Sequence, residues 1–346
     1  YGGTERVVSY LTEALVEAGH EVTLFASGDS VTSAHLLPVV PRALRLEGSR
    51  DSLAPHVLQL RRVIEMAAGF DIIHFHTDYF HFPISKLCAY THVTTLHGRL
   101  DLPELQPLYS EFSDIPLISI STSQRKPLPF ANWTGNVYHG IPENLYTLGK
   151  GDGDYAAFIG RISPEKRVDR AIAIAGKAGI KIKIAAKIDN SDKEYFESLR
   201  HMFRLPHVEF MGEIGEEVKN EFLGSAKVLL FPIDWPEPFG MVMIESMACG
   251  TPVLAYPMGS VAEIIEHGRS GIIVSSIEEA VKAVRNIDKI SRAECRQAFT
   301  ERFTARRMAH DYVELYSALI EENRRMQFPP LTQKESSKLV SNVLSA

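Results

Sequence analysis

The stretch EPFGMVMIESMACGTPV, residues 237–253, holds two glutamates with seven residues between them, Glu237 and Glu245. Glu245 falls in a helical pattern whose neighbours three and four positions away are Met241, Val242, Ala248 and Cys249, all apolar. A carboxylate in that setting is buried and costly unless something donates hydrogen bonds to it. An arginine of the same protein is one such donor, and the hydroxyls of a bound ligand are another. Glu237 stands just ahead of the same helix. Between the two glutamates, the peptide N–H groups around Phe239, Gly240, Met241 and Val242 belong to a first helical turn, whose donors have no helical partner. Gly240 permits close backbone approach there.

A second set of residues points to anion binding. Arg161 and Lys166 in GRISPEKRVD follow the apolar run YAAFIG and bracket Pro164, a residue suited to a first helical turn. Two cations, a glycine and a helix start at a strand's end make an anion site, against the plainer alternative of a surface pair. Gly2 and Gly3 open another helix, either for geometry alone or to let a phosphate or sugar approach the backbone. His97 ends the apolar run HVTTL. His74, His76 and Asp78 alternate, so they share one strand face if the strand runs that far. The metal reading of these three is weaker than that of polar groups lining a pocket. Asp152-Gly153-Asp154 reads as a solvated loop, not as a metal motif.

Elements must carry these residues to one place. Short apolar runs alternate with amphipathic stretches through the chain, the pattern of βαβ units and parallel sheets. Strands are predicted at 21–26, 71–76, 92–96, 117–121 and 136–139, then at 155–160, 181–186, 207–211, 227–232, 252–256 and 271–274. The Gly-, Asp- and Pro-rich segment HGIPENLYTLGKGDGD divides the two series. Two Rossmann-like doubly wound α/β domains follow, 1–145 and 150–305, facing across a cleft, with a C-terminal helix at about 310–328 returning to the first. Ligands of such sheets bind outside the strands' carboxyl ends. A Gly-rich turn before a helix normally follows a strand, and only Tyr1 precedes Gly2 here, so the first strand of this domain is expected to be missing from the numbered sequence. The tail after Gln327 reads as loosely ordered.

Composition narrows the function. With 346 residues, 45% hydrophobic and 23% charged, the chain suits two globular domains. A net charge of −6 gives no electrostatic reason to expect nucleic acid. Cys88, Cys249 and Cys295 lie too far apart for a metal motif and suggest a reducing compartment. No apolar run is long enough to span a bilayer and no signal peptide is visible.

The two motif stretches, together with YGGTERVV, AGHEVTLFASG, FDIIHFHTD, TTLHG, VEFMGEI and FTARRMAHDYVELYSALI, resemble the retaining glycosyltransferases of family 4, glycosyl transferases group 1, over nearly the whole chain. The resemblance implies the GT-B fold and transfer of a hexose from a nucleoside-diphosphate sugar to an acceptor hydroxyl. It implies retention of configuration, no bound metal and no cofactor beyond the substrate. Uridine is the family's commonest donor base, which makes a UDP-sugar the expected donor. By the same resemblance, Arg161 and Lys166 hold the diphosphate, Gly2 and Gly3 approach the donor, and Ile214 packs on the base. Glu245 would take the ribose hydroxyls and Glu237 the sugar hydroxyls at carbons three and four. His97 would contact the transferred sugar, and His76 and Asp78 would line the acceptor pocket. The implied acceptor is a sugar or lipid-linked sugar of polysaccharide or glycolipid biosynthesis, handled in the cytoplasm or by peripheral contact at the inner face of the membrane. Arg306, Arg307 and Lys334 are too few to argue a membrane face. A nucleotide-sugar epimerase or hydrolase of the same fold, and a non-catalytic two-lobed sugar-binding protein, are the competing readings.

Overall fold

The computed structural model describes residues 2–327; the predicted loose tail and Lys334 lie outside the described residues. The first half holds a two-stranded parallel sheet, β1 (Thr23–Ala26) with β2 (His35–Pro38). Beside it lies a four-stranded parallel sheet: β3 (Ile73–Phe75), β4 (His92–Thr95), β5 (Leu117–Ser119) and β6 (Trp133–Asn136), in that order. A cavity of about 960 Å3 separates the two sheets, lined by Leu24 and Phe25 of β1 and by Ile73 and Phe75 of β3. Gly2 caps the first helix, Gly3–Glu17, so no strand precedes that helix among the described residues.

The second half is one six-stranded parallel sheet, β12-β11-β10-β7-β8-β9. Its strands are β7 (Tyr155–Arg161), β8 (Lys181–Lys187), β9 (Val208–Gly212), β10 (Val228–Phe231), β11 (Val253–Ala255) and β12 (Gly271–Ile273). The central strands are buried on both faces, which is why VLLF and YAAF read as continuous apolar runs. The chain winds outward from β7 in both directions. The order therefore reverses between β7 and β10, and a crevice opens there at the strands' carboxyl ends.

Two strand expectations are corrected. β2 was not expected: SAHLLPVV is short and contains Pro38, which weakens its strand signal. β6 runs over 133–136, not 136–139. Trp133 packs into the cluster around Phe82, and Gly135 lies under Leu315, where a Cβ would come within 2.4 Å of that side chain.

The halves are joined by polar and apolar contacts. The helix Ala305–Gln327 packs Met308, Ala309 and Tyr312 against Val7 and Leu11 of the first helix. Ser121 Oγ donates to Pro238 O at 2.6 Å. The Glu263 carboxylate accepts from the backbone of Thr122 and Ser123, both at 2.7 Å, and from Tyr138 Oη at 3.1 Å. Arg292 pins the connecting segment to the second half. Its guanidinium donates to the carbonyls of Gly149, Gly224, Ala226 and Cys249 and to Thr251 Oγ1. No helix among the described residues is long and apolar enough to cross a membrane.

Candidate active site

The crevice between β7 and β10 brings Lys166 and Glu237 together. Past β7 the chain turns through Pro164–Lys166, and Arg167 takes a left-handed conformation with φ 54°. Arg167 and Arg170 both reach Asp234, at 2.8 and 3.3 Å, and Asp234 N donates to Glu165 O at 2.9 Å. These bonds staple the loop after β7 to the loop after β10. Lys166 Nζ pairs with Glu237 Oε2, the same oxygen that accepts from Trp235 Nε1 at 3.0 Å. The Lys166 ammonium also stands over the Trp235 ring, 4.9 Å from its centroid. A cation held by one carboxylate and an indole face, in a crevice, is positioned to meet a further negative charge.

Arg161 is not part of that cluster. It ends β7 but pairs with Glu165 at 2.8 Å and Asp189 at 3.7 Å, with half of its side chain exposed. A ligand would have to draw it from those surface partners.

Glu237 owes its place to backbone packing that carries no polar signature in the sequence. Gly259, at φ +61°, lies so close that a Cβ there would come within 2.3 Å of both the N and the O of Glu237. Ser260 N donates to Glu237 O at 3.0 Å, and Ser260 Oγ to Phe239 O at 2.8 Å. Gly240, at φ +78°, then caps the helix Met241–Ala248. Met243 N returns to Gly240 O, leaving the earlier N–H groups of the turn facing away from the helix ladder. The first helix of the other half begins beside this turn. A Cβ on Gly3 would lie 3.9 Å from Met241 Cγ. Two helix N-termini, at Gly3 and Gly240, thus lie close together, and the positive ends of both dipoles favour an anion nearby. Gly2 is extended at φ −73°, so its own φ does not demand glycine. Ile214 is half-buried against the cluster that includes Phe239 and Met243.

Glu245 is buried as expected, at 2% exposure. The resemblance gave Glu245 the ribose hydroxyls as partners; without a ligand, the arginine alternative is the one the fold supplies. Arg6 Nη1 lies 2.5 Å from Glu245 Oε1, and Lys219 Nζ reaches the same oxygen at 3.3 Å. Glu216 balances the second cation, accepting from Lys219 at 3.1 Å and from Tyr146 Oη. Burial without a cation would be prohibitive, and the tertiary structure supplies two.

The histidines form a stack at the carboxyl ends of β3 and β4. His76 Nδ1 and His97 Nε2 share a hydrogen bond of 2.9 Å. The His74 and His76 rings are 4.0 Å apart, and His97 stacks on His139, which touches the Phe239 ring at 4.7 Å. His74 is fixed by Tyr316 Oη at 2.6 Å and Thr95 Oγ1 at 2.7 Å. Asp78 stands apart, at φ 49°, with no hydrogen bond to His76 among the described residues. Among the described residues no three His, Cys, Asp or Glu side chains converge as a metal site.

Burial favours the neutral imidazoles. It pushes His97 down to about 4 and His74 to about 3, and it holds His76 and His139 well below the ordinary 6.5. Neighbouring histidines add to the effect for His74, His76 and His139, and Arg307 adds to it for His139. Between pH 6.5 and 4 the unfolded chain binds protons that the folded chain refuses. Stability therefore falls as pH drops through that window. The urea midpoint is expected to be lower at pH 5 than at pH 7, and replacing His97 with Gln should reduce the difference without abolishing it, because His74, His76 and His139 keep their share.

Sequence reasoning missed Arg6, Lys219, Trp235, His139 and Gly259. Arg6 follows the Gly pair by one helical turn, a signal that was available. Trp235 stands two positions before Glu237 and bonds it, a local signal as well; Lys219, His139 and Gly259 meet their partners only through the packing of separate elements.

Residues 147–305 match the family described as Glycosyl transferases group 1, and residues 1–131 match Glycosyltransferase Family 4. The chain belongs to these family-4, group 1 glycosyltransferases, and its fold is GT-B. It is 25% identical to an uncharacterised glycosyltransferase of Methanocaldococcus jannaschii, across 76% of this chain and 79% of that one. Sucrose-phosphate synthase from Thermosynechococcus elongatus superposes with a TM-score of 0.76 at 19% identity, covering 93% of this chain and 94% of that one. Anabaena HepE, solved in complex with UDP and glucose, superposes with a TM-score of 0.70 at 18% identity, covering 92% and 96%.

Proposed function

We propose that the protein moves a hexosyl group from a UDP-sugar to an acceptor hydroxyl with retention of configuration. The acceptor is a sugar or lipid-linked sugar of polysaccharide or glycolipid biosynthesis, met in the cytoplasm or at the inner face of the membrane. No bound metal is required. The observation that carries the reading is the Lys166–Glu237 pair beside the N-terminus of the helix Met241–Ala248, with Gly3 of the other half opposite.

In this reading the bond between the anomeric carbon and the phosphate oxygen breaks, and its electron pair stays on the diphosphate. Lys166, Arg161 and the N–H groups of Gly240, Met241 and Val242 oppose the growing charge. The leaving phosphate oxygen takes the acceptor's proton on the face from which it departs, and the acceptor oxygen bonds to the anomeric carbon. Glu237 accepts hydroxyls of the transferred sugar, Glu245 those of the ribose, and Ile214 packs on the base. His97, kept neutral by burial, contacts the sugar through hydrogen bonding and not as a charge. His76, bonded to it, and Asp78 face the acceptor. Supporting the donor assignment, the structural relative HepE carries UDP.

Labelled UDP-hexoses, with and without sugar acceptors, test the proposal. Nucleoside diphosphate release that needs an acceptor supports transfer. Equal release into water without one would make the protein a hydrolase. Replacing Glu237 with Ala is expected to lower turnover by about 10²-fold while UDP affinity changes by less than about threefold. A variant that lost affinity alone would remove Glu237 from the sugar.

A further inference from the structure

Glu245 belongs to the second half of the molecule, but its closest partner comes from the first. Arg6 sits on the helix Gly3–Glu17, and all three of its guanidinium nitrogens are engaged. Nη1 holds Glu245 Oε1 at 2.5 Å, Nη2 meets Glu216 at 3.3 Å and Tyr146 Oη at 3.4 Å, and Nε donates to Tyr10 Oη at 3.2 Å. Its side chain is only 17% exposed. Lys219 adds a second contact at 3.3 Å, again to Oε1. Among the described residues nothing bonds Oε2. The carboxylate is therefore gripped by one oxygen, and the other keeps its acceptor capacity.

Two half-buried cations facing a buried and a half-buried carboxylate are a poor device for stability, because their desolvation offsets most of the attraction. A planar guanidinium held at every nitrogen does supply orientation, which an ammonium does not. We infer that Arg6 is a positioning residue for nucleotide recognition: it locks Glu245 through Oε1 so that Oε2 is presented to the vicinal diol of a ribose. The inference rests on the reading of Glu245 as the ribose carboxylate. It also makes diol recognition a property of both halves together, since the acceptor oxygen is aimed by a side chain from across the cleft.

Titration calorimetry with UDP and with 2′,3′-dideoxy-UDP separates aim from architecture. Wild-type protein is expected to prefer UDP by about tenfold or more, the worth of one or two hydrogen bonds to a charged acceptor. Arg6→Met should cut that preference to below about threefold while dideoxy-UDP affinity stays within about twofold. Arg6→Lys, which keeps the charge without the fork, should show an intermediate preference. A merely structural Arg6 would weaken both nucleotides alike and leave the preference intact, and this result overturns the inference. So does tighter UDP binding by Arg6→Met, which would make Arg6 a competitor of the ligand. If Arg6→Met does not fold, a wild-type preference in Arg6→Lys has the same force. Glu245→Gln is the separate control. A preference that survives it removes Glu245 from the ribose, whereas a preference lost in Glu245→Gln but kept in Arg6→Met refutes Arg6 alone.

Discussion

Turnover is expected to fall by about 10²–10³ when Lys166 is replaced with alanine, a loss of about 3–4 kcal/mol of transition-state stabilisation. Lys166 is the more enclosed of the two cations, half-buried with 18% of its side chain exposed against 49% for Arg161. A charge is worth more where solvent is scarce. Its partner Glu237 and the Trp235 ring hold the ammonium in place, so little reorganisation is needed when negative charge develops beside it. The measurement is steady-state kinetics with a UDP-hexose donor, alongside UDP affinity by calorimetry. The loss should lie chiefly in kcat, because charge on the departing phosphate is greatest at bond breaking. Turnover within about threefold of wild type would remove Lys166 from leaving-group stabilisation.

Gly259→Ala should also cost about 10²-fold in kcat, although Gly259 contributes no side chain to the site. A methyl group there meets the Glu237 backbone at 2.3 Å on both its N and its O. Something must shift, and the Lys166–Glu237 pair shifts with it. Stability should fall as well, by about 2–5 kcal/mol, from left-handed strain plus overpacking. Gly268 supplies the control. It too has a positive φ, +87°, but nothing lies within 4 Å of a Cβ added there. Gly268→Ala should show backbone strain in urea denaturation of about 1–2 kcal/mol and leave kcat unchanged. Equal kinetic losses in the two variants would show that strain, not the displacement of Glu237, is responsible.

The two experiments concern residues of different legibility. Lys166 was legible as a candidate because a cation after a buried strand, near a helix start, can meet an anion there, although Arg161 carried the same signal and turns outward. Gly259 was not, because PMGSVAEI looks like any turn until its neighbour is known. The same contrast runs through the fold. Continuous runs such as VLLF announced the buried parallel strands of the second sheet. β2 stayed hidden because HLLP is brief and its Pro38 argues against a strand.

The sequence by itself determined the parallel α/β character, the restart of the pattern near residue 150 and the burial of Glu245. It also determined the family, through short stretches whose glycines, cations and carboxylates keep their local spacing. These are properties of neighbours along the chain, set by periodicity and by backbone geometry. The tertiary structure alone decided which charges meet. Lys166 turned to Glu237 while Arg161 turned outward to Glu165 and Asp189. Arg6 crossed 239 positions of sequence to reach Glu245. A buried carboxylate must be paired, but its partner is whichever cation the packing of distant elements brings within reach, and local sequence carries no record of that choice.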